Sequence, residues 1–184
     1  MTTQHIQLDS SEADQTIRNQ ARYLSSQALT TAGRRAINRA ARTARSEMSK
    51  GVRDRLAIKK RDLDQRMSIT RARDTNLEAT IIIDNSPVSL LTFGAKQISR
   101  GVSVRVLKSA GRTLLASAFT VGSIGGEVFS RRGSDRTPID MLRGPRVAKS
   151  AEEAWESRAH DAAARIINQR LDHELQRQID KANR

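Results

Sequence analysis

A chain of 184 residues with 37% hydrophobic side chains and a formal charge of +13 fits one domain with a modest, mainly aliphatic core. The absence of cysteine excludes disulfides and thiolate metal centres, and no apolar run approaches the roughly 20 residues of a membrane span. With an aromatic content of 3%, base stacking has few side chains to work with, whereas the positive charge attracts polyphosphate or acidic protein surfaces.

Met1 to Asp9 is polar and lacks the hydrophobic stretch of a signal peptide; residues 1–10 are expected to form a flexible arm, and synthesis in a cytoplasm is expected. From Ser10 to Lys50 there is no proline, and Ile17, Ala21, Leu24, Ala28, Ala32, Ala36, Ile37, Ala40, Ala44 and Met48 recur at intervals of three and four. That spacing predicts a long helix over 11–50. Ser11 with Asp14 forms a candidate capping pair, Gly51 is a natural stop, and Thr30, Thr31 and Gly33 predict a kink near residues 30–33. A face built from alanine lets another helix approach closely.

Val52, Leu56, Ile58 and Leu63 anchor two short helical turns between Val52 and Gln65. The period then changes to two. Met67 and Ile69, followed across Asp74, Thr75 and Asn76 by Leu77, Ala79, Ile81 and Ile83, predict a hairpin. Val88, Leu90, Leu91 and Phe93 suit a further strand after Pro87. The clearest β signal runs from Gly101 to Gly133, where Val102, Val104 and Val106 alternate with Ser103 and Arg105. After a turn over Lys108 to Arg112, the returning strand takes one of two registers, led by Leu114 or by Leu115. Gly122 to Gly126 turns the chain again into Val128 and Phe129. Beyond Pro138 and Pro145, a final helix over 150–181 carries an apolar stripe of Ala154, Trp155, Ala159, Ala162, Ile166, Leu171, Leu175 and Ile179. The fold class is therefore α+β: a long N-terminal helix, an antiparallel sheet of four or more strands within 66–133, and a long C-terminal helix, all in a single domain over 11–184.

No catalytic constellation, cofactor motif or metal site is legible. His160 and His173 are thirteen residues apart on one helix, a spacing unsuited to a two-His zinc site. Asp62 and Asp64 lie among Lys59, Lys60, Arg61 and Arg66 and are expected to form local ion pairs. The Gly122 to Gly126 run has no following Gly-Lys-Ser/Thr and sits between strands, so it reads as a hairpin turn and not a phosphate loop. What stands out is charge. Between residues 34 and 73 there are 14 Lys or Arg side chains against only Glu47, Asp54, Asp62 and Asp64. Such an excess repels itself unless a polyanion or acidic partner neutralises it.

Ala36-Ile37-Asn38-Arg39 on an alanine-rich helix, then Leu56 to Lys60 and Arg66 to Ile69, resembles the N-terminal half of the minor tail protein Z family of lambda-like phages. Gly101 to Val106, Ala118-Phe119, Val128 to Gly133 and Arg136 to Pro145 follow the order of its C-terminal half. The resemblance covers residues 30–150; it departs at Ser117, where the family often has glycine, and at Arg146, where it often has serine. It implies a structural, non-enzymatic virion protein that completes the tail. The implied location is the head-proximal neck, after assembly in the host cytoplasm. There it is expected to form a homo-oligomeric ring, a hexamer matching a tail tube. Its implied neighbours are the tail terminator or tail tube protein and the head-tail connector proteins, with double-stranded DNA in the channel and no membrane. On that reading Lys96, Arg100, Arg105, Arg131 and Arg132 are candidates to face DNA, while Arg39, Arg42, Arg45 and Trp155 are candidates for subunit contacts. The alternative is a sequence-independent, nucleic-acid-binding architectural protein.

Overall fold

The structure, a computed structural model, describes residues 24–122 and 125–182 and the backbone of 3–7. Helix α1 spans Ser26–Arg55, with Ser25 in extended conformation at its N-cap accepting a bond from the Ala28 N–H. The expected cap at Ser11 and Asp14 lies outside the described residues. Alanine and arginine, both strong helix formers, carry α1 without interruption across residues 30–33. Thr30 turns its hydroxyl back onto the Ser26 carbonyl. Ala32, Ala36, Ile37, Ala40, Ala41, Ala44, Met48 and Val52 are buried along one face, the predicted stripe continued by one turn.

The expected stop at Gly51 is not used. The helix continues to Arg55 and ends at Leu56, and Gly51 serves packing instead. A Cβ there would lie 2.5 Å from the Cβ of Ala154, well inside van der Waals contact. The partner segment is α3, Ala148–Ala154, which runs through a π turn at Trp155–Ala159 into α4, His160–Ala182. Its buried positions are Ala148, Ser150, Ala151, Ala154, Ala159, Ala163, Ile167, Leu171 and Leu175. The step of five residues from Ala154 to Ala159 falls on the π turn, which is one residue wider than an α turn. This shift moves Ala163 and Ile167 into the seam, where the sequence pattern placed Ala162 and Ile166; those two are half-buried.

From the end of α1 the chain makes a short helix α2, Lys60–Asp64, then strands β2, Met67–Thr70, and β3, Thr80–Asp84. These pair antiparallel with Met67 opposite Ile83 and Ile69 opposite Ile81, the predicted hairpin. Strand β1, Thr3–Gln7, falls within the expected arm and pairs along the other edge of β3. Val52, Leu56, Ile58 and Leu63 are all buried.

The remaining strands divide into three further small antiparallel sheets. Strand β4 is only Pro87–Ser89; Leu90–Phe93, expected to extend it, forms a 3-10 turn started by the Ser89 hydroxyl. Strands β5, Lys96–Ile98, β6, Gly101–Val104, and β7, Thr113–Ala116, form one meander. Val102 lies opposite Leu115, so the Leu115 register is the one adopted and Leu114 stays exposed. Ser117 follows with a φ of 62°, the left-handed region that favours glycine. Strands β8, Phe119–Thr120, β9, Val128–Arg131, and β10, Ile139–Met141, make the next sheet, and β11, Arg143–Arg146, returns to pair with β4. Bonds from Ala57 N–H to the Val106 carbonyl and from Lys108 N–H to the Arg55 carbonyl stitch the β6–β7 connection to the end of α1.

Two glycines in α1 should respond oppositely to alanine. Gly51→Ala is expected to lower stability by about 1–3 kcal/mol through overpacking, although alanine is the better helix former. Gly33→Ala, whose Cβ would meet Leu77 at an ordinary 3.5 Å, should raise it by about 0.4–1 kcal/mol. The buried Ser49 hydroxyl has no hydrogen-bond partner among the described residues, so Ser49→Ala is expected to be neutral or to stabilise by about 1 kcal/mol. Urea unfolding of the three variants checks this, and a Gly51→Ala protein as stable as Gly33→Ala would contradict the packing account.

Candidate functional site

The arginine-rich tract does not form one uniform basic face; the fold sorts its members into paired and unpaired groups. Arg45 is fixed inside the chain, donating to the Met67 and Asp64 carbonyls at 3.0 Å each and lying 3.4 Å from the Asp64 carboxylate. Arg66 binds Asp84 and Ser86. The Ser86 hydroxyl and N–H, then the Arg66 charge, hold the Asp84 carboxyl below its ordinary range. Arg55 pairs with Glu153 and Lys60 with Asp64. Arg158, on the π turn, reaches both Glu47 and Asp54 of α1.

A different arrangement occupies the groove between α1, α4 and the turn after β2, an open hollow of about 760 Å³. Its organiser is Asn38. The Asn38 amide donates to the Ala72 carbonyl at 3.0 Å and accepts from the Ala72 N–H at 2.9 Å, so Ala72 is held against α1 and buried. Arg71 and Arg73, on either side of it, are exposed and line the groove. Reciprocal backbone bonds between Arg73 and Asn76 close the turn. From α1 come Arg34, Arg35, Arg39 and Arg42; from α4 come Arg170 and Glu174.

Two of these guanidiniums are neutralised locally, Arg34 by Asp74 at 2.7 Å and Arg35 by Glu174 at 2.9 Å. Arg42 uses its Nε on the Asn38 carbonyl, leaving the two terminal nitrogens for another partner. Arg39, Arg71, Arg73 and Arg170 have no side-chain partner among the described residues. The groove therefore presents several cations on a braced backbone, with Ile69 and Ala72 the only apolar lining among the described residues.

The basic residues singled out beside the sheet are more dispersed. Lys96 on β5 and Arg100 in the β5–β6 turn are exposed. Arg105 donates to the Lys108 carbonyl at 2.6 Å. Arg131 stacks over the Phe119 ring at 4.7 Å, a cation–π contact. Arg132 makes a two-pronged pair with Asp140 at 2.6 and 2.8 Å, which favours the charged form of each partner. Trp155 is half-buried on the π turn, with its ring edge-on to His160. Sequence reading missed Arg71, Arg73 and Arg170 as groove residues; the one signal was Asn38, the single asparagine of an alanine- and arginine-rich helix.

Among the described residues no group of three or more His, Asp or Glu side chains is arranged to hold a metal ion, and no helix is long and apolar enough to cross a membrane. Compared with known protein families, residues 12–184 match the family described as prophage minor tail protein Z. Neither the curated proteins nor the solved structures contain a match to the chain.

The Arg158 junction makes stability depend on acid. The Lys50 hydrogen bond first, then the Lys50 and Arg158 charges, hold the Glu47 carboxyl below its ordinary value of 4.5, against an opposing effect of burial. A lowered folded-state value means that the stabilisation is present above the unfolded value and is lost as pH falls through the folded one. Urea midpoints measured between about pH 6 and pH 3 should therefore fall less steeply for Glu47→Gln than for the parent. Parallel curves would remove Glu47 from the acid response.

Proposed function

The chain belongs to the prophage minor tail protein Z family and is thus a structural protein of a phage tail, and from that premise we propose that it is a tail completion protein. On this reading it forms a homo-oligomeric ring, with sixfold symmetry matching the tail tube, at the head-proximal end of the tail. The ring joins the tail to the head connector and holds or passes the genome end. The work is done by assembly and electrostatics and not by a reaction, so the protein is no enzyme. The family match over nearly the whole chain carries the reading.

Two features support it. First, large apolar side chains stand exposed on the sheet side, including Ile98, Leu107, Leu114 and Met141 at 38 to 44%. Ile98 and Leu114 share the outer face of one small sheet, because Ile98 pairs with Gly101 and Leu114 with Ser103 and alternate β6 residues point the other way, into the core. Neighbouring virion proteins, such as the tail terminator, the tail tube protein or further copies of this chain, would cover such a face. Second, Lys96, Arg100, Arg105, Arg131 and Arg132 lie on the sheet side, where a ring would carry them towards passing DNA with phosphate contacts and no base readout. Trp155, half-buried on the π turn, is a candidate subunit contact.

The charge of +13 favours one other reading, a free architectural DNA-binding protein. Gold labelling of the protein on tails from an induced prophage separates the two. Label at the head-proximal end, with tails that fail to join heads when the gene is deleted, is expected. Label at the distal tip, or absence from the particle, contradicts the tail completion reading.

A further inference from the structure

We propose that the groove between α1, α4 and the turn after β2 is a binding site for the phosphate backbone of duplex DNA, separate from the basic residues on the sheet side. The inference rests on the reading above only in taking duplex DNA as the polyphosphate. The groove gathers Arg39, Arg42, Arg71, Arg73 and Arg170 from three stretches of chain. Like charges brought together this way repel one another and are retained at a cost. Here they are also positioned: the Asn38 clamp on Ala72 fixes the backbone between Arg71 and Arg73, and the Asn38 carbonyl anchors the Arg42 Nε. Among the described residues, the carboxylates of Asp74 and Glu174 are engaged by Arg34 and Arg35 and do not neutralise the rest.

The lining chooses among anions. Protein partners are held by an apolar core with a polar rim, and among its described lining residues this groove offers only Ile69 and Ala72 as apolar surface. A single strand would be held by stacked bases, and no aromatic residue among the described ones lines the hollow. Guanidinium groups on a braced frame suit phosphate oxygens, which accept two parallel N–H bonds from one arginine. Such contacts fix position along a backbone and carry no base information. The occupant that fits is therefore a run of duplex phosphates of any sequence.

The test uses the full chain and a fluorescent duplex of about 30 base pairs, with anisotropy titrations from about 50 to 200 mM salt. The variant Arg39→Gln/Arg71→Gln/Arg73→Gln should bind at least 10-fold more weakly at the lowest salt. Its log–log salt slope should be shallower by about 3, near 0.9 for each phosphate that is no longer neutralised. Each of Arg71→Gln and Arg170→Gln alone should reduce the slope by about 1, which keeps the test available if the triple variant unfolds. The control Lys59→Gln/Lys108→Gln/Lys149→Gln removes the same charge from exposed positions outside the groove and should change the slope less. An equal effect of the control means diffuse binding and overturns the proposal. So does unchanged binding by the groove variants. If they keep the duplex but lose a polyglutamate peptide, the groove takes an acidic protein segment and the proposal also falls. None of these results bears on where gold label lies on the tail, so the groove and the tail location fail separately.

Discussion

The close seam between α1 and the C-terminal helical segment is the constraint on which the rest of the molecule depends. Small residues make it: the buried face of α1 is largely alanine, opposed by Ala151, Ala154, Ala159 and Ala163. Contact is closest where Gly51 meets Ala154. Alanine removes little apolar surface from water per residue, so such a seam contributes stability through length and closeness and not through bulk. It also fixes the distance between two arginine-bearing helices, and it requires the π turn at Trp155–Ala159 to bring Ala163, Ile167, Leu171 and Leu175 into line.

Because the helices are held this near, the charges they carry fall into two classes. At the Gly51 end, Arg158 bridges Glu47 and Asp54 and Arg55 meets Glu153, so positive charge is neutralised inside the chain. Towards the other end, Arg35 and Glu174 make the one direct pair between α1 and α4 within the groove among the described residues, and the turn after β2 adds Arg71 and Arg73 while its Asp74 is taken by Arg34. A tract that reads in sequence as one block of basic residues is thus part internal cement and part outward-facing surface.

Much of this order was legible beforehand, because it rests on local periodicity. The alanine stripe, the β2–β3 hairpin around Asp74 to Asn76, and the anchors Val52, Leu56, Ile58 and Leu63 all follow from spacing that secondary structure imposes. What escaped depended on partners distant in sequence. Gly51 reads as a helix stop until Ala154 is placed against it. The choice between Leu114 and Leu115 rests on which side of β7 faces the core, and the Ala162/Ile166 stripe is displaced by a π turn that no propensity marks. The groove was hidden for the same reason: Asn38 reaches Ala72 across 34 residues, and Arg170 arrives from the far end of the chain. Arg45 shows the converse, an arginine expected at a subunit contact that the fold uses to hold the Asp64–Met67 segment.

The family assigns the protein to a phage tail, and the seam gives that assignment a physical content: a stiff pair of helices presenting arginines on one side and small sheets with uncovered apolar faces on the other. A density map of the intact tail and neck with packaged DNA, at side-chain resolution, tests this most directly. The account predicts phosphate density within hydrogen-bonding distance of Arg39, Arg71 and Arg73, with the outer face of the β5–β7 sheet covered by neighbouring protein. Grooves filled instead by carboxylates of an adjacent subunit would contradict it.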